Sequence, residues 1–124
     1  MTRTRALPTL GRMPELFFSG PAQEGIRRLE AGPQLEVLLT RVNEVLDLIE
    51  REPGSAEARR MRFREPPSWG IQVGFREHSF VVTWMSGTEF ATWADPSDVL
   101  ALSQAVGDDL AQWAIVLYVG PRPE

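Results

Sequence analysis

The sequence predicts an α+β fold in which an antiparallel sheet packs against an N-terminal αα-hairpin, with an extra helix inserted before the last strand. Three observations predict it. Residues 21–52 repeat apolar side chains at helical spacing on both sides of a Gly-Pro break, whereas residues 69–75 alternate apolar and polar side chains. A further helical pattern then precedes the apolar run Ala114–Val119, which is typical of a buried last strand.

The composition fits one compact domain and excludes several kinds of site. The chain has 124 residues, of which 43% are hydrophobic and 24% charged. Because it has no cysteine and a single histidine, disulfide frameworks, thiolate zinc sites and cysteine nucleophiles are excluded, and we expect no metal and no cofactor. We assign residues 1–12 to a flexible N-terminal arm and residues 13–124 to a single domain.

Charge and hydropathy bear on partners and location. The formal net charge of −4 argues against a wholly basic nucleic-acid-binding surface but leaves room for a local basic patch. No apolar run approaches the roughly 20 residues that a membrane span requires. We therefore expect a cytoplasmic protein without a membrane partner, and the absence of cysteine suits a reducing compartment.

The first half of the chain predicts a strand and two helices. The apolar, aromatic segment Pro14–Phe18 is typical of a strand, and Pro21 then opens a helix that ends at Gly32. A second helix is predicted over residues 34–52, because its apolar side chains recur three and four positions apart. These side chains are Leu35, Leu38, Leu39, Val42, Val45, Leu46 and Ile49.

The second half predicts a meander of strands interrupted by one helix. Residues 69–75 and 80–84 form two strands joined by the polar turn of residues 76–79, and Thr88–Trp93 is expected to extend the sheet. Asp95 and Pro96 start a helix that runs to Trp113. Its apolar face must be buried, because a helix of this length is marginal alone in water. It therefore packs either on the open face of its own sheet, which we predict, or against a second copy in a symmetric homodimer.

This order of elements extends over residues 13–122 and is carried by short segments of the sequence. They are Glu15–Ser19, Val45–Ile49, Arg60–Phe63, Pro67–Val73, Phe80–Trp84 and Tyr118–Arg122. In order and spacing the chain resembles the RelE/ParE superfamily of bacterial toxins. The resemblance implies a RelE/ParE-like fold, and a toxin of a toxin–antitoxin pair that cleaves messenger RNA on the ribosome or poisons gyrase.

Such RNA cleavage needs cations around the scissile phosphate and a general base for the 2′-hydroxyl. The candidate catalytic residues are Arg62, His78 and Arg122, of which Arg122 is the cation that the resemblance carries over. The candidates for binding a substrate or partner are Arg59, Arg60, Arg64 and Arg76. The implied partners are an antitoxin or another protein, and ribosome-bound messenger RNA.

Other interpretations of the same residues stay open. The arginines between 59 and 64 are also consistent with a solvated loop paired with Glu57 and Glu65, and His78 with a turn residue that has no chemical role. Where RNA-cleaving members of the superfamily carry basic residues, this sequence has Gly70, Gln72 and Phe80. The alternative function is therefore a catalytically inactive protein-interaction module with the same fold. An enzyme of unrelated chemistry is a third.

Overall fold

The computed structural model describes residues 15–64, 66–75, 77–107 and 109–121. The helices and strands are β1 (Glu15–Phe18), α1 (Gly20–Ala31), α2 (Glu36–Arg51), β2 (Met61–Arg64), β3 (Pro67–Phe75), β4 (His78–Ser86), α3 (Gly87–Trp93), α4 (Pro96–Val106) and β5 (Trp113–Pro121). The predicted α+β class is confirmed. The N-terminal arm assigned to residues 1–12 lies outside the described residues.

The five strands form one sheet in the order β1-β5-β4-β3-β2. Strands β2 to β5 form an antiparallel meander, whereas β1 pairs with β5 in parallel, with Glu15 opposite Trp113 and Phe18 opposite Val116. The sheet is therefore mixed, not antiparallel throughout as predicted. A hairpin forces antiparallel pairing, but β1 and β5 are joined by nearly the whole chain, and a long connection permits the parallel pairing.

The predicted helical hairpin packs on one face of this sheet. Ser19 caps α1 by accepting a hydrogen bond from the Ala22 N–H, and Gly32 ends the helix in extended conformation. Leu38, Val42 and Leu46 on α2 are fully buried in one core that also contains side chains of β3, β4 and β5. The apolar spacing in the sequence thus correctly predicted which side of α2 faces the sheet.

The insertion between β4 and β5 differs from the prediction in two places. Thr88–Trp93 is helix α3 and not a strand, because the Ser86 hydroxyl caps the helix by accepting a hydrogen bond from the Glu89 N–H. The helix expected to reach Trp113 ends at Val106, where Gly107 turns the chain with a φ of 96°. Glycine adopts this conformation at little steric cost.

The prediction that the inserted helix covers its own sheet is confirmed. Leu102 on α4 is buried with Met85 and Ile115, on the sheet face opposite the helical hairpin. The neighbouring Trp84 belongs to the core under the hairpin, because successive side chains of a strand point to opposite faces. Helices therefore cover both faces of the sheet around β4 and β5. No helix in the described part of the chain is long and apolar enough to cross a membrane.

The burial of α2 predicts a large effect of shortening one core leucine. Leu46→Ala removes a fully buried side chain and leaves a cavity, which should lower the free energy of unfolding by about 2–5 kcal/mol. The same substitution at Leu100, which is 58% exposed on α4, should change it by less than about 0.5 kcal/mol. Urea unfolding of both variants measures the difference, and equal midpoints would contradict the packing of α2.

A second prediction concerns the close approach of α1 to β5. A Cβ on Gly25 would overlap the carbonyl oxygen of Val119, whereas a Cβ on Gly20 would meet nothing within 4 Å. Gly25→Ala should therefore destabilise the protein by about 1–3 kcal/mol, despite alanine's better helix propensity. Gly20→Ala is the matched control in the same helix. Thermal unfolding that ranks the two variants the other way round would refute the contact.

Candidate functional site

Four exposed arginines lie together at the edge of the sheet, and we call them the arginine cluster: Arg59, Arg60, Arg62 and Arg64. Arg62 and Arg64 lie on β2, where they alternate with the half-buried Met61 and Phe63. The period of two places both side chains on one face, with their Cα atoms about 7 Å apart along the strand. This is the shared face that the sequence predicts if the segment is extended.

Trp69 on β3 organises two members of the cluster. It is the register partner of Arg62 across the β2–β3 pair. The guanidinium carbons of Arg62 and Arg59 lie 4.6 and 5.2 Å from the centroid of the indole ring. Both distances are within the range of a cation–π interaction. The half-buried ring thus holds two positive charges at one place on the surface, while it packs at the margin of the core.

The segment that leads into β2 is anchored to the core by Trp84. The Trp84 indole is 1% exposed, and its Nε1 donates a hydrogen bond of 2.8 Å to the carbonyl oxygen of Ala58. Within the segment, the Ala58 N–H donates to the Ser55 hydroxyl, and Arg59 Nε donates to the Pro53 carbonyl. These bonds fix the backbone that carries Arg59 and so the near end of the arginine cluster.

Arg62 also forms an ion pair with the inserted helix α3. Its Nη2 lies 2.9 Å from Glu89 Oε2, with the two side chains 41% and 33% exposed. At this exposure the pair is worth only about 0.2–1 kcal/mol. Sequence reasoning missed Glu89 because its segment was expected to be a strand. The signal was Ser86 followed three residues later by Glu89, which is the pattern of a capped helix N-terminus.

The rest of the cluster carries charge without a balancing acid. Within the described ranges, neither Arg60 nor Arg64 has an ion-pair partner. The predicted partner Glu57 is exposed and makes no ion pair either, and the predicted partner Glu65 lies outside the described residues. An arginine guanidinium presents a planar fork of donors that fits a carboxylate or a phosphate. The cluster therefore has the donors and the charge to hold a carboxylate or a phosphate.

The structure does not bring His78 to this surface. His78 is the register partner of Phe75, and Arg62 is the partner of Trp69, so they lie six positions apart along β3. At strand rise this separates them by about 20 Å. One phosphate cannot contact both side chains. The other two candidates, Arg76 and Arg122, lie outside the described residues.

A groove runs beside the arginine cluster between α2 and β3, and we call it the α2–β3 groove. Its volume is about 650 Å³. It exists because β2 pairs only with Pro67–Gly70, which leaves Ile71–Phe75 without a strand on that side among the described residues. The lining residues are Arg41, Glu44, Val45, Leu48, Arg51, Glu57, Arg60, Met61, Ile71, Gln72, Val73 and Gly74. Sequence reasoning missed the groove, because it depends on where β2 ends relative to β3.

The described residues offer no metal site and one further cavity. In the part of the chain that the structure describes, no group of three or more histidines and acids could hold a metal ion. A smaller cavity of about 250 Å³ lies under α4 and is lined mainly by apolar side chains such as Phe17, Leu102 and Ile115. Comparison with known proteins adds no assignment: protein-family models, curated proteins and solved structures each gave no match.

The anchoring role of Trp84 predicts an effect on the segment before β2. Trp84→Phe removes the donor to the Ala58 carbonyl, and an unpaired buried acceptor costs about 1–3 kcal/mol. We expect lower stability and faster tryptic cleavage after Arg59 and Arg60 under native conditions. The control is Trp93→Phe, at a tryptophan that is 47% exposed. Equal cleavage rates in the two variants would contradict the anchoring.

Proposed function

We propose that the protein is an interaction module that binds an acidic segment of a partner protein through the arginine cluster and does not cleave RNA. The observation that carries the proposal is the separation of Arg62 from His78 by about 20 Å along β3. A cation that stabilises the transition state and a base that takes the 2′-hydroxyl proton must act on the same nucleotide. Arg62 and His78 are too far apart to do so.

The partnership of Arg62 further supports binding over catalysis. Its guanidinium group is held by Glu89 and by the Trp69 ring, so a phosphate would have to displace an existing ion pair. A fixed, half-neutralised cation suits a surface that recognises shape and charge. It suits less well a centre where negative charge must develop and be stabilised.

The charge of the whole molecule favours a protein partner over a long nucleic acid. RNA is a continuous polyanion that extends beyond the cluster, so it also meets the acidic surface that gives the chain its net charge of −4. A short acidic segment meets only the local field, because charges beyond about 8 Å are largely screened at physiological ionic strength. Within that distance the cluster is positive.

The messenger-RNA endonuclease is the second proposal, and the spacing of Arg62 and Arg64 favours it. Two arginines on one strand face, with Cα atoms about 7 Å apart, can both reach a single phosphate. In this proposal the RelE/ParE-like resemblance supplies the partner as well, an antitoxin that occupies the same cations. The catalytic base would then have to be a residue other than His78.

Induced expression in a bacterial host separates the two proposals. We expect normal growth and intact ribosome-bound messages, because the predicted base His78 lies about 20 Å from Arg62 along β3 and Arg62 is already paired with Glu89. The double variant Arg62→Ala with Arg64→Ala is the matched control and should behave like the original chain. Growth arrest with cleaved messages, relieved by that double variant, would replace the interaction module with the endonuclease.

A binding experiment tests the partner class. Purified protein is titrated with polyglutamate and with polyadenylate RNA at physiological ionic strength. We expect polyglutamate to bind more tightly, and the double variant Arg60→Glu with Arg64→Glu to weaken it at least about tenfold through lost charge-assisted hydrogen bonds. Arg27→Glu, an exposed position on α1, should leave binding unchanged. Preference for the RNA would contradict the proposal.

A further inference from the structure

We propose that the small cavity under α4, which we call the α4 cavity, binds one large apolar side chain of a partner protein whose neighbouring residues are arginine or lysine. The cavity shares no residue with the arginine cluster and selects the opposite charge. The inference goes beyond the proposed function and does not rest on it.

The side chains that line the α4 cavity grade from buried to exposed. Leu102 on α4 and Ile115 on β5 belong to the core under α4 and are 4% and 2% exposed. Asp98 and Ala101, which line it from the first turns of α4, are exposed. The half-buried apolar side chains that complete the lining are Phe17, Phe90 and Leu117. The cavity therefore has a floor in the core and a mouth at the surface beside α4.

The volume of the α4 cavity decides the size of its occupant. It measures about 250 Å³, whereas close-packed protein interiors contain few voids larger than a water molecule. An apolar cavity of about 150 Å³ takes up benzene, so there is room for one aromatic ring. Sites for a whole small-molecule ligand usually begin at about 300 Å³. A single large side chain is thus the occupant that fits.

The interior of the α4 cavity favours an apolar occupant. Apart from the exposed Asp98, the polar side chain in its lining is Ser19. The Ser19 hydroxyl donates a hydrogen bond of 2.7 Å to the Leu117 carbonyl and accepts one from the Ala22 N–H. Its single proton is therefore engaged, and it offers an occupant no donor. A polar group that left water for this site would lose free energy, whereas an apolar side chain would gain it.

Apolar surface continues outward from the cavity along α3. The Phe90 ring, which lines the cavity, meets the ring of Trp93 edge-on, with centroids 6.3 Å apart and planes at 61°. Trp93 is 47% exposed, so much of its indole faces solvent. Exposed aromatic side chains next to a pocket are typical of protein interfaces, since they bury a large area at little entropic cost. The partner therefore has a contact surface beyond the one side chain in the cavity.

Charge complementarity selects basic residues in the partner. Residues 77–121 contain acids but no arginine or lysine. Asp98 lines the cavity and Asp95 lies one turn before it, and both are exposed without an ion-pair partner in the described ranges. The one described ion pair on α3 or α4 joins Glu89 to Arg62, and it neutralises that cation. A cationic neighbour of the anchoring side chain is therefore attracted to the mouth, and an acidic one is repelled.

The test titrates the full chain with the end-blocked peptide Arg-Gly-Phe-Gly-Arg and follows methyl signals by NMR. We expect the signals of Leu102, Ile115 and Leu117 to shift and to saturate. Ala101→Trp fills the mouth of the cavity and should weaken binding at least about tenfold, because the phenylalanine can no longer be buried. Gln104→Trp, at an exposed position on α4 outside the lining, is the matched control and should bind like the original chain.

Two further peptides separate the anchor from the charge. Arg-Gly-Ser-Gly-Arg keeps the charge without the anchor and should bind at least about tenfold more weakly. Glu-Gly-Phe-Gly-Glu keeps the anchor and should also bind more weakly, whereas the double variant Asp95→Arg with Asp98→Arg should reverse the preference between the two phenylalanine peptides. Equal binding of those two peptides to the original chain would overturn the proposal of a basic partner.

The remaining outcomes identify other occupants. Residues 1–12 contain Arg3, Arg5 and Arg12 and no acid. If the basic peptide binds only a variant without them, they are the occupant and the partner protein is overturned. If the chain sediments as a concentration-dependent dimer that the double aspartate variant dissociates, a second copy is the occupant, with the same consequence. If no peptide shifts the methyl signals, this inference fails, while the polyglutamate titration decides the proposed function separately.

Discussion

The packing of Trp84 is the constraint on which the rest of the structure depends. Its indole fills the core under the helical hairpin, while its neighbour Met85 points into the second core under α4. The same residue pairs with Trp69, which carries two arginines on its ring, and hydrogen bonds to Ala58 in the segment before β2. One residue of the central strand therefore joins the hydrophobic core to the charged surface. The position of the cations is set from inside the protein.

Periodicity predicted those parts of the fold that a single segment determines. The apolar stripe on α2 and the alternation on β3 each mark the side chains that must enter the core, so both predictions were correct. The segment Thr88–Trp93 was not, because Phe90 and Trp93 suit a strand, whereas the cap at Ser86 starts a helix. The parallel pairing of β1 with β5 could not be predicted either, because it joins residues nearly a hundred positions apart.

The residues of the candidate site could be predicted from the sequence, but the contacts between them could not. The density of arginine between residues 59 and 64 is visible in the sequence, and the structure places all four at the surface. The partners of Arg62 are not visible in the sequence. Trp69 meets it only because of the register between β2 and β3, and Glu89 meets it only because residues 87–93 form α3. The distance between Arg62 and His78 likewise depends on the length of β3. Which side chains meet is fixed by strand pairing, and local patterns do not encode pairing.

The pairing of β1 with β5 has a consequence for how the molecule forms. Strands β2, β3 and β4 are joined by short turns, so they pair through contacts close in sequence and with a small loss of loop entropy. Pairing β1 with β5 brings Phe18 opposite Val116. The Ser19 hydroxyl donates a hydrogen bond to the carbonyl oxygen of Leu117, which is 98 positions later in the sequence. Contacts of such high sequence separation slow folding. We therefore expect β2, β3 and β4 to be the part of the sheet that local contacts assemble first. β1 cannot pair until β5 has joined the sheet, and until then β4 has one side unpaired.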